Sequence, residues 1–133
     1  ENTMLGEFEN IEREAHSLGL PVIAWIYPRG KKIKEKNKKD LLAYATRTGL
    51  EIGADIVKIH WDSSFEDLKW AVKSAGRTKV VVAGGIKEKD KEIINKIEEI
   101  VKAGALGMAI GRNVWQNDDP IGIAKKIRKI IFD

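Results

Sequence analysis

The sequence predicts an α/β fold built on parallel strands, and three observations predict it. Four short runs, residues 21–27, 55–59, 79–83 and 107–110, are largely apolar, and the first three are rich in valine and isoleucine. Helical patterns of apolar residues separate them, and strands alternating with helices in this way form parallel sheets covered by helices. The runs also end near Tyr27, Lys58, Ala83 and Ile110, at the interval of one strand–helix unit. A doubly wound sheet and a (β/α)8 barrel both fit that rhythm. No G-x-G-x-x-G follows a strand, which weighs against a dinucleotide fold.

The elements follow in order. A helix over residues 3–18 places Leu5, Phe8, Ile11, Ala15 and Leu18 near one face and stops at Gly19. The first strand, residues 21–27, ends at Pro28. After a lysine-rich loop, Asp40 can cap a helix through Leu41, Leu42, Ala45 and Leu50 that closes near Gly53. The second strand runs from Asp55 to about Ile59. Ser63-Ser64-Phe65-Glu66 reads as a capping box for a helix carrying Phe65, Leu68 and Val72, ended by Gly76. The third strand, residues 79–83, stops at Gly84-Gly85. A helix over residues 89–103 follows, with Ile93, Ile94, Ile97, Ile100 and Val101 apolar. The fourth strand runs into Gly111-Arg112. Asp119-Pro120, a cap with a first-turn proline, starts the last helix, which reaches about Phe132.

Composition narrows the function. The 133 residues are enough for one compact unit, residues 1–133, with a real core. No stretch approaches the roughly 18 apolar residues of a membrane span, and no signal-peptide pattern is present. The expectation is a cytoplasmic protein with no membrane partner. Without cysteine, disulfides, thiolate metal sites and a cysteine nucleophile are excluded. The net charge of +4 concentrates in Lys31-Lys32-Ile33-Lys34-Glu35-Lys36-Asn37-Lys38-Lys39. That run lacks interleaved aromatics and any helix-turn-helix, RNP or zinc pattern around it. It reads as a solvated loop that favours anionic substrates, with no nucleic acid as partner.

Lys58 carries the most chemistry, as a lone amine in Ala54-Asp55-Ile56-Val57-Lys58-Ile59. Desolvation favours an uncharged amine, and an uncharged amine can attack a carbonyl to form a Schiff base. On this stretch alone the simpler explanation is a lysine whose stem lies on the strand while its ammonium reaches water. Period-two alternation groups Trp25 with Tyr27, and Ile56 with Lys58 and His60. These residues lie at carboxyl ends of strands, where βα loops converge and ligands bind in either architecture. Gly84-Gly85 and Gly111-Arg112 follow consecutive strands and would expose neighbouring backbone N–H groups, as phosphate-holding loops do. Arg112 adds a charged fork suited to phosphate, although glycines also end strands as plain turns. His16 is expected on the surface. Trp61 and Trp70 are expected in packing or subunit contacts, and Trp115 in either packing or substrate contact.

Four segments together resemble the archaeal-type class I fructose-1,6-bisphosphate aldolases of the DeoC/DhnA superfamily of Schiff-base aldolases. They are Ala24-Trp25-Ile26-Tyr27-Pro28-Arg29-Gly30, Gly53-Ala54-Asp55-Ile56-Val57-Lys58, Val82-Ala83-Gly84-Gly85-Ile86-Lys87 and the stretch from Ala103 through Gly111-Arg112-Asn113-Val114-Trp115-Gln116. They occur in the family's order across nearly the whole chain. The resemblance implies a (β/α)8 TIM barrel, of which this chain would be the carboxyl-terminal half, one helix plus strands five to eight with their helices. A barrel takes about 250 residues, and the chain opens on Glu1, so a fragment or a truncated form is expected. Four strands alone leave open edges and an uncovered inner face. Association with a second copy or another half-barrel is therefore expected.

The resemblance also implies roles. Lys58 would be the Schiff-base lysine and Tyr27 the general acid/base. Trp25 would pack beside substrate. Gly84, Gly85, Gly111 and Arg112 would hold the phosphate of dihydroxyacetone phosphate. No metal and no cofactor are implied, and the partner is a phosphorylated sugar. Ala83 and Ile86 depart from the serine and proline often found around the double glycine, and an aspartate from the family's first strand has no counterpart here. A sister branch makes 2-amino-3,7-dideoxy-D-threo-hept-6-ulosonate with the same lysine and tyrosine. Trp25 favours the aldolase, since that branch tends to carry methionine there. A half-barrel without catalysis is the remaining alternative.

Overall fold

Four strands pair side by side in chain order and all in parallel: β1 (Ile23–Trp25), β2 (Ile56–Ile59), β3 (Lys79–Ala83) and β4 (Gly107–Ala109). The structure, a computed structural model, describes residues 2–33 and 36–132, with the side chains of Asn2 and Lys32 outside that description. Lys34 and Glu35 of the lysine run therefore lie outside the described residues. The helices are α1 (Asn2–Ser17), α2 (Lys38–Glu51), α3 (Phe65–Ser74), α4 (Asp90–Lys102), α5 (Arg112–Trp115) and α6 (Pro120–Phe132), with a 3-10 turn at Lys31–Ile33. No helix among the described residues is long and apolar enough to cross a membrane.

Alternation along the strands sorts their side chains into two environments. Ala24, Val57, Ile59, Val80 and Val82 are buried among helices. The intervening residues fall on the opposite face, where Ile23 and Trp25 are exposed and Lys58, Val81 and Ala83 are half-buried. The helices thus cover one face only, and the strand order never reverses. A doubly wound sheet needs helices on both faces and a reversal point. This is the arc of a (β/α)8 barrel, with the uncovered inner face expected of four strands alone.

Two apolar clusters fill the covered side. One joins Leu42, Ala45, Leu68, Ala71 and Ile100 to the buried strand residues, and the other joins Ile93 and Ile97 of α4 to Ile123 and Ile127 of α6. Met108 packs on both. Thr46, fully buried, donates its hydroxyl to Ala71 O at 2.7 Å and so ties α2 to α3. Gly49 allows α2 to approach β2, since a Cβ there would sit 2.8 Å from Val57 Cβ.

Several boundaries differ from the sequence expectation for local reasons. Helix α2 is capped by Asn37 rather than Asp40. Asn37 Oδ1 accepts from Asp40 N at 2.7 Å while its Nδ2 donates to Asp40 Oδ2 at 2.8 Å, so Asp40 completes the cap from the third helical position. The capping box of α3 pairs Ser64 with Asp67, one residue beyond the expected Ser63 and Glu66. Strand β1 pairs over only three residues, between the prolines that delimit the run. The one-turn helix α5 was not expected. Asp119 and Pro120 open α6 as expected, with Asp119 Oδ1 accepting from Gly122 N at 2.9 Å.

Helix α1 does not bury the face expected of it. Leu5, Phe8 and Ala15 are half-buried, whereas Ile11 is 63% and Leu18 70% exposed. Its attachment is polar, through the surface residue His16. Nδ1 of His16 lies 2.6 Å from Glu12 Oε1, and Nε2 lies 2.9 Å from Asp55 Oδ2. Asp55 Oδ2 also accepts from Val22 N at 2.7 Å. A neutral imidazole has one N–H, so only the imidazolium donates to both carboxylates. The hydrogen bond to Asp55 accordingly raises the His16 pKa above 6.5, with Glu12 adding to it against desolvation. The Val22 N–H, followed by His16, holds Asp55 below 3.8.

Two predictions follow from these contacts. The raised His16 pKa stabilises the docked helix fully below about pH 6.5 and loses that contribution as pH rises through the raised value. The depressed Asp55 pKa contributes above about 3.8 and is lost on acidification below that. Hydrogen exchange in α1, corrected for intrinsic rates, should therefore be slowest between these limits and faster at pH 8. Equal protection at pH 5.5 and 8 would overturn this. In the core, Gly49→Ala should destabilise, because overpacking costs about 1–3 kcal/mol and exceeds the at most ~1 kcal/mol gained in helix propensity. Denaturant titration with a Val57→Ala partner checks it: the double variant should recover part of the loss.

Candidate active site

Lys58 stands third in β2, in register with Trp25 of β1 and Val81 of β3. Its neighbours Val57 and Ile59 occupy the core, so alternation sends Lys58 to the face that helices leave open. There Nζ lies 3.6 Å from the centroid of the Trp25 indole. Trp25 is 66% exposed, while Lys58 is half-buried. The indole thus covers the amine from one side and presents its negative face to any positive charge that Lys58 carries.

Tyr27 follows two residues after the end of β1, half-buried, with the Arg29 guanidinium 5.6 Å from its ring centroid. Burial pushes its phenol pKa up, against the opposing pull of Arg29. Tyr27 lines a cavity of about 240 Å³ with Ile26, Leu42, Ile59, His60 and Asp62. Lys58 is not among the walls of that cavity. The sequence groups His60 with Lys58 by alternation, but β2 ends at Ile59 and His60 lies beside Tyr27's cavity instead. Across its mouth Lys38 Nζ reaches Asp62 Oδ2 at 2.8 Å and Asp62 O at 3.1 Å. Hydrogen bonding to Lys38 holds the Asp62 carboxyl below its ordinary value. One lysine of the basic run is therefore engaged at the strand ends.

The two glycine turns meet beyond β3 and β4. Gly84 N donates to Ala109 O at 2.9 Å, which removes this N–H from the set expected to face a ligand. A Cβ on Gly84 would lie 2.8 Å from the same carbonyl, so only glycine lets the turns come this close. Gly85 is exposed, in the left-handed region at φ 67°, with open space around its Cα. Arg112 Nη2 donates to Gly85 O at 2.7 Å, which engages one donor of its five-donor fork. A Cβ on Gly111 would overlap the Trp115 ring, so Trp115 packs on this turn and is itself largely exposed.

One residue of this arrangement had no role assigned from the sequence. Asn113, 2% exposed, donates Nδ2 to Ile86 O at 2.9 Å and to Gly84 O at 3.4 Å, and its Oδ1 accepts from Glu88 N at 2.7 Å. An amide directly after Gly111-Arg112 and ahead of apolar Val114-Trp115 was the available signal. Lys87 Nζ donating to Gln116 O and Asn117 Nδ2 to Asp90 Oδ1 at 2.6 Å complete the lacing of the two loops. Of the other aromatics, Trp61 is buried with its Nε1 on Ser64 O at 3.0 Å, as expected of a packing residue. Trp70 is half-exposed between Lys39 and Lys73.

A half-barrel with a lysine on its open face and laced glycine loops at the carboxyl ends of its last strands places these groups where (β/α)8 barrels bind their ligands. The chain belongs to the DeoC/LacD family of aldolases, which residues 1–117 match. It is 39% identical over 130 residues to the fructose-bisphosphate aldolase class 1 of Thermoproteus tenax, covering 97% of this chain and 49% of that protein. It is 38% identical over 113 residues to 2-amino-3,7-dideoxy-D-threo-hept-6-ulosonate synthase 1 of Archaeoglobus fulgidus, covering 85% of this chain and 41% of that protein. A solved archaeal fructose-1,6-bisphosphate aldolase, with its catalytic Lys covalently bound to the carbinolamine intermediate of the substrate, superposes with a TM-score of 0.90. Identity there is 36%, over 98% of this chain and 53% of that one. The chain thus spans about half the length of the curated relatives it matches.

Proposed function

We propose that this chain carries the Schiff-base half of a metal-independent class I aldolase that cleaves or forms fructose 1,6-bisphosphate. The observation that carries the reading is Lys58, a half-buried amine on the open inner face with the Trp25 indole 3.6 Å from Nζ. The similarity to the Thermoproteus tenax aldolase and to the archaeal structure with a carbinolamine on its catalytic Lys supports it.

Lys58 attacks the ketone carbon, and the carbinolamine loses water to become an iminium. The Trp25 face that attracts the ammonium attracts this cation as well, so the indole favours the step that regenerates positive charge. As the bond between the third and fourth carbons breaks, its electrons pass into the iminium and leave an enamine. The fourth-carbon hydroxyl gives up its proton, and glyceraldehyde 3-phosphate departs. Protonation of the enamine and hydrolysis then release dihydroxyacetone phosphate and the free amine. Tyr27 handles the proton. Burial favours the neutral phenol, the form that donates in the direction of bond formation, and in the direction of cleavage its phenolate takes the proton from the fourth-carbon hydroxyl. Gly85, Gly111 and the Arg112 fork hold the phosphate of dihydroxyacetone phosphate. Gly84 serves that site by closeness of backbone rather than by its N–H.

A second reading, the 2-amino-3,7-dideoxy-D-threo-hept-6-ulosonate synthase reaction, draws on the Archaeoglobus fulgidus relative. It uses the same lysine and tyrosine, and Trp25 favours the aldolase. In both readings the open sheet face and the unpaired edges of β1 and β4 are covered by a further half-barrel, and a second copy of this chain is one way to supply it. Sedimentation at micromolar concentration checks this for the chain alone: a strictly monomeric species would overturn self-pairing.

Incubation with dihydroxyacetone phosphate and borohydride should add one reduced adduct, mapped by mass spectrometry to Lys58, and Lys58→Met should abolish it. Tyr27→Phe should keep the adduct while cleavage of fructose 1,6-bisphosphate falls by about 10²–10⁴. An adduct on another lysine, or none, would remove Lys58 from its role.

A further inference from the structure

We infer that Asn113 is a positioning residue for the phosphate, holding the turn after β3 in the shape that Gly85 and Arg112 need. The inference deepens the proposed function and rests on its phosphate site. Asn113 is a buried side chain directly after Arg112, and it addresses three backbone groups of the opposite loop: Gly84 O, Ile86 O and Glu88 N. These three flank Gly85 on both sides. Gly85 itself has a left-handed φ of 67°, with no side chain to stiffen the turn, and is exposed. Nothing in its own residue therefore fixes the direction of the neighbouring peptide groups. Asn113 fixes it from across the gap, using both its donor protons and its acceptor. Arg112 makes a fourth bond to the same turn, at Gly85 O, but from an exposed side chain.

The division of labour follows from burial. A hydrogen bond shielded from water holds its geometry, whereas an exposed guanidinium is free to exchange a carbonyl for an anion. When phosphate enters, Arg112 can turn its fork to the anion while Asn113 keeps the turn from collapsing. Preorganisation of this kind acts on affinity, because the turn then needs no ordering when the ligand arrives.

The test follows the backbone amides of Gly85 and Gly111 by NMR during titration with inorganic phosphate, in the unsubstituted chain, Asn113→Ala and Asn113→Asp. The aspartate keeps the acceptor for Glu88 N but loses both donors. Both variants should bind phosphate at least about tenfold more weakly, in line with the loss of buried hydrogen bonds. Borohydride trapping at Lys58 adds a second readout. The ratio of trapping with dihydroxyacetone phosphate to trapping with unphosphorylated dihydroxyacetone should fall by a similar factor, which general loosening of the fold would leave unchanged. Phosphate affinity unaltered in folded Asn113→Asp would overturn the assignment. Loss of the folded state in both variants would make Asn113 a packing residue and overturn it too. No response at Gly85 and Gly111 in the unsubstituted chain would instead overturn the phosphate site itself, and the role of Asn113 with it.

Discussion

Winding in one direction is the constraint from which the rest of this structure descends. Each strand is laid beside the previous one and each helix returns on the same side, so the side chains of every strand divide between a packed face and an open one. Ala24, Val57, Ile59, Val80 and Val82 take the packed face. Lys58 cannot join them without carrying its charge into a cluster of valine, isoleucine and leucine, where an unpaired ammonium is very costly. A shift of β2 by one residue would do that and would expose Val57 and Ile59 as well. The register of β2 and the placement of its lysine are therefore one fact, held by the same apolar burial.

The strand ends add a second level of order. Beyond β3 and β4 the backbone is glycine-rich and would be loosely defined if left to itself. It is held by side chains of the opposite loop: Arg112 and Asn113 bond to the turn after β3, and Lys87 and Asp90 reach residues after β4. The polar groups that hold the loops are mostly not those proposed to do chemistry. Beyond β1 and β2 the pattern is similar, since Lys38 and Asp62 bridge the mouth of the cavity that Tyr27 lines.

Much of this was legible in the sequence, and the exceptions share a cause. Apolar runs and stop signals located all four strands, because burial of β-branched residues needs no knowledge of partners. Whether helices cover one face or both was left open by the runs themselves, since a strand buried on one face can be as apolar as one buried on both; only the family resemblance chose the barrel. The start of α2 was missed because Asn37 sits inside a lysine run, where its capping geometry shows only once Asp40 is seen bonded back to it. Helix α1 shows the opposite failure. Its periodic apolar residues predict burial, yet periodicity says nothing about whether a surface exists to bury them against, and Ile11 and Leu18 remain in solvent. The role of Asn113 was missed for a further reason: its position after Gly111-Arg112 was the one signal, and its partners are backbone atoms 25 to 29 residues away, which no local pattern encodes.

The bond from Gly84 N to Ala109 O is the last rung between β3 and β4, and it is made by a residue of the proposed phosphate turn. Strand β4, like β1, is an outer member of the sheet and pairs on one side only, so it is prone to fray. An anion clasped between the two turns would act like a pin through the open end of a hinge. Separating the strands would then require releasing the anion first. Occupancy at the tip would in this way set how often the sheet's free margin opens along its length, and a ligand touching only loops would be felt as stiffness in the framework beneath them.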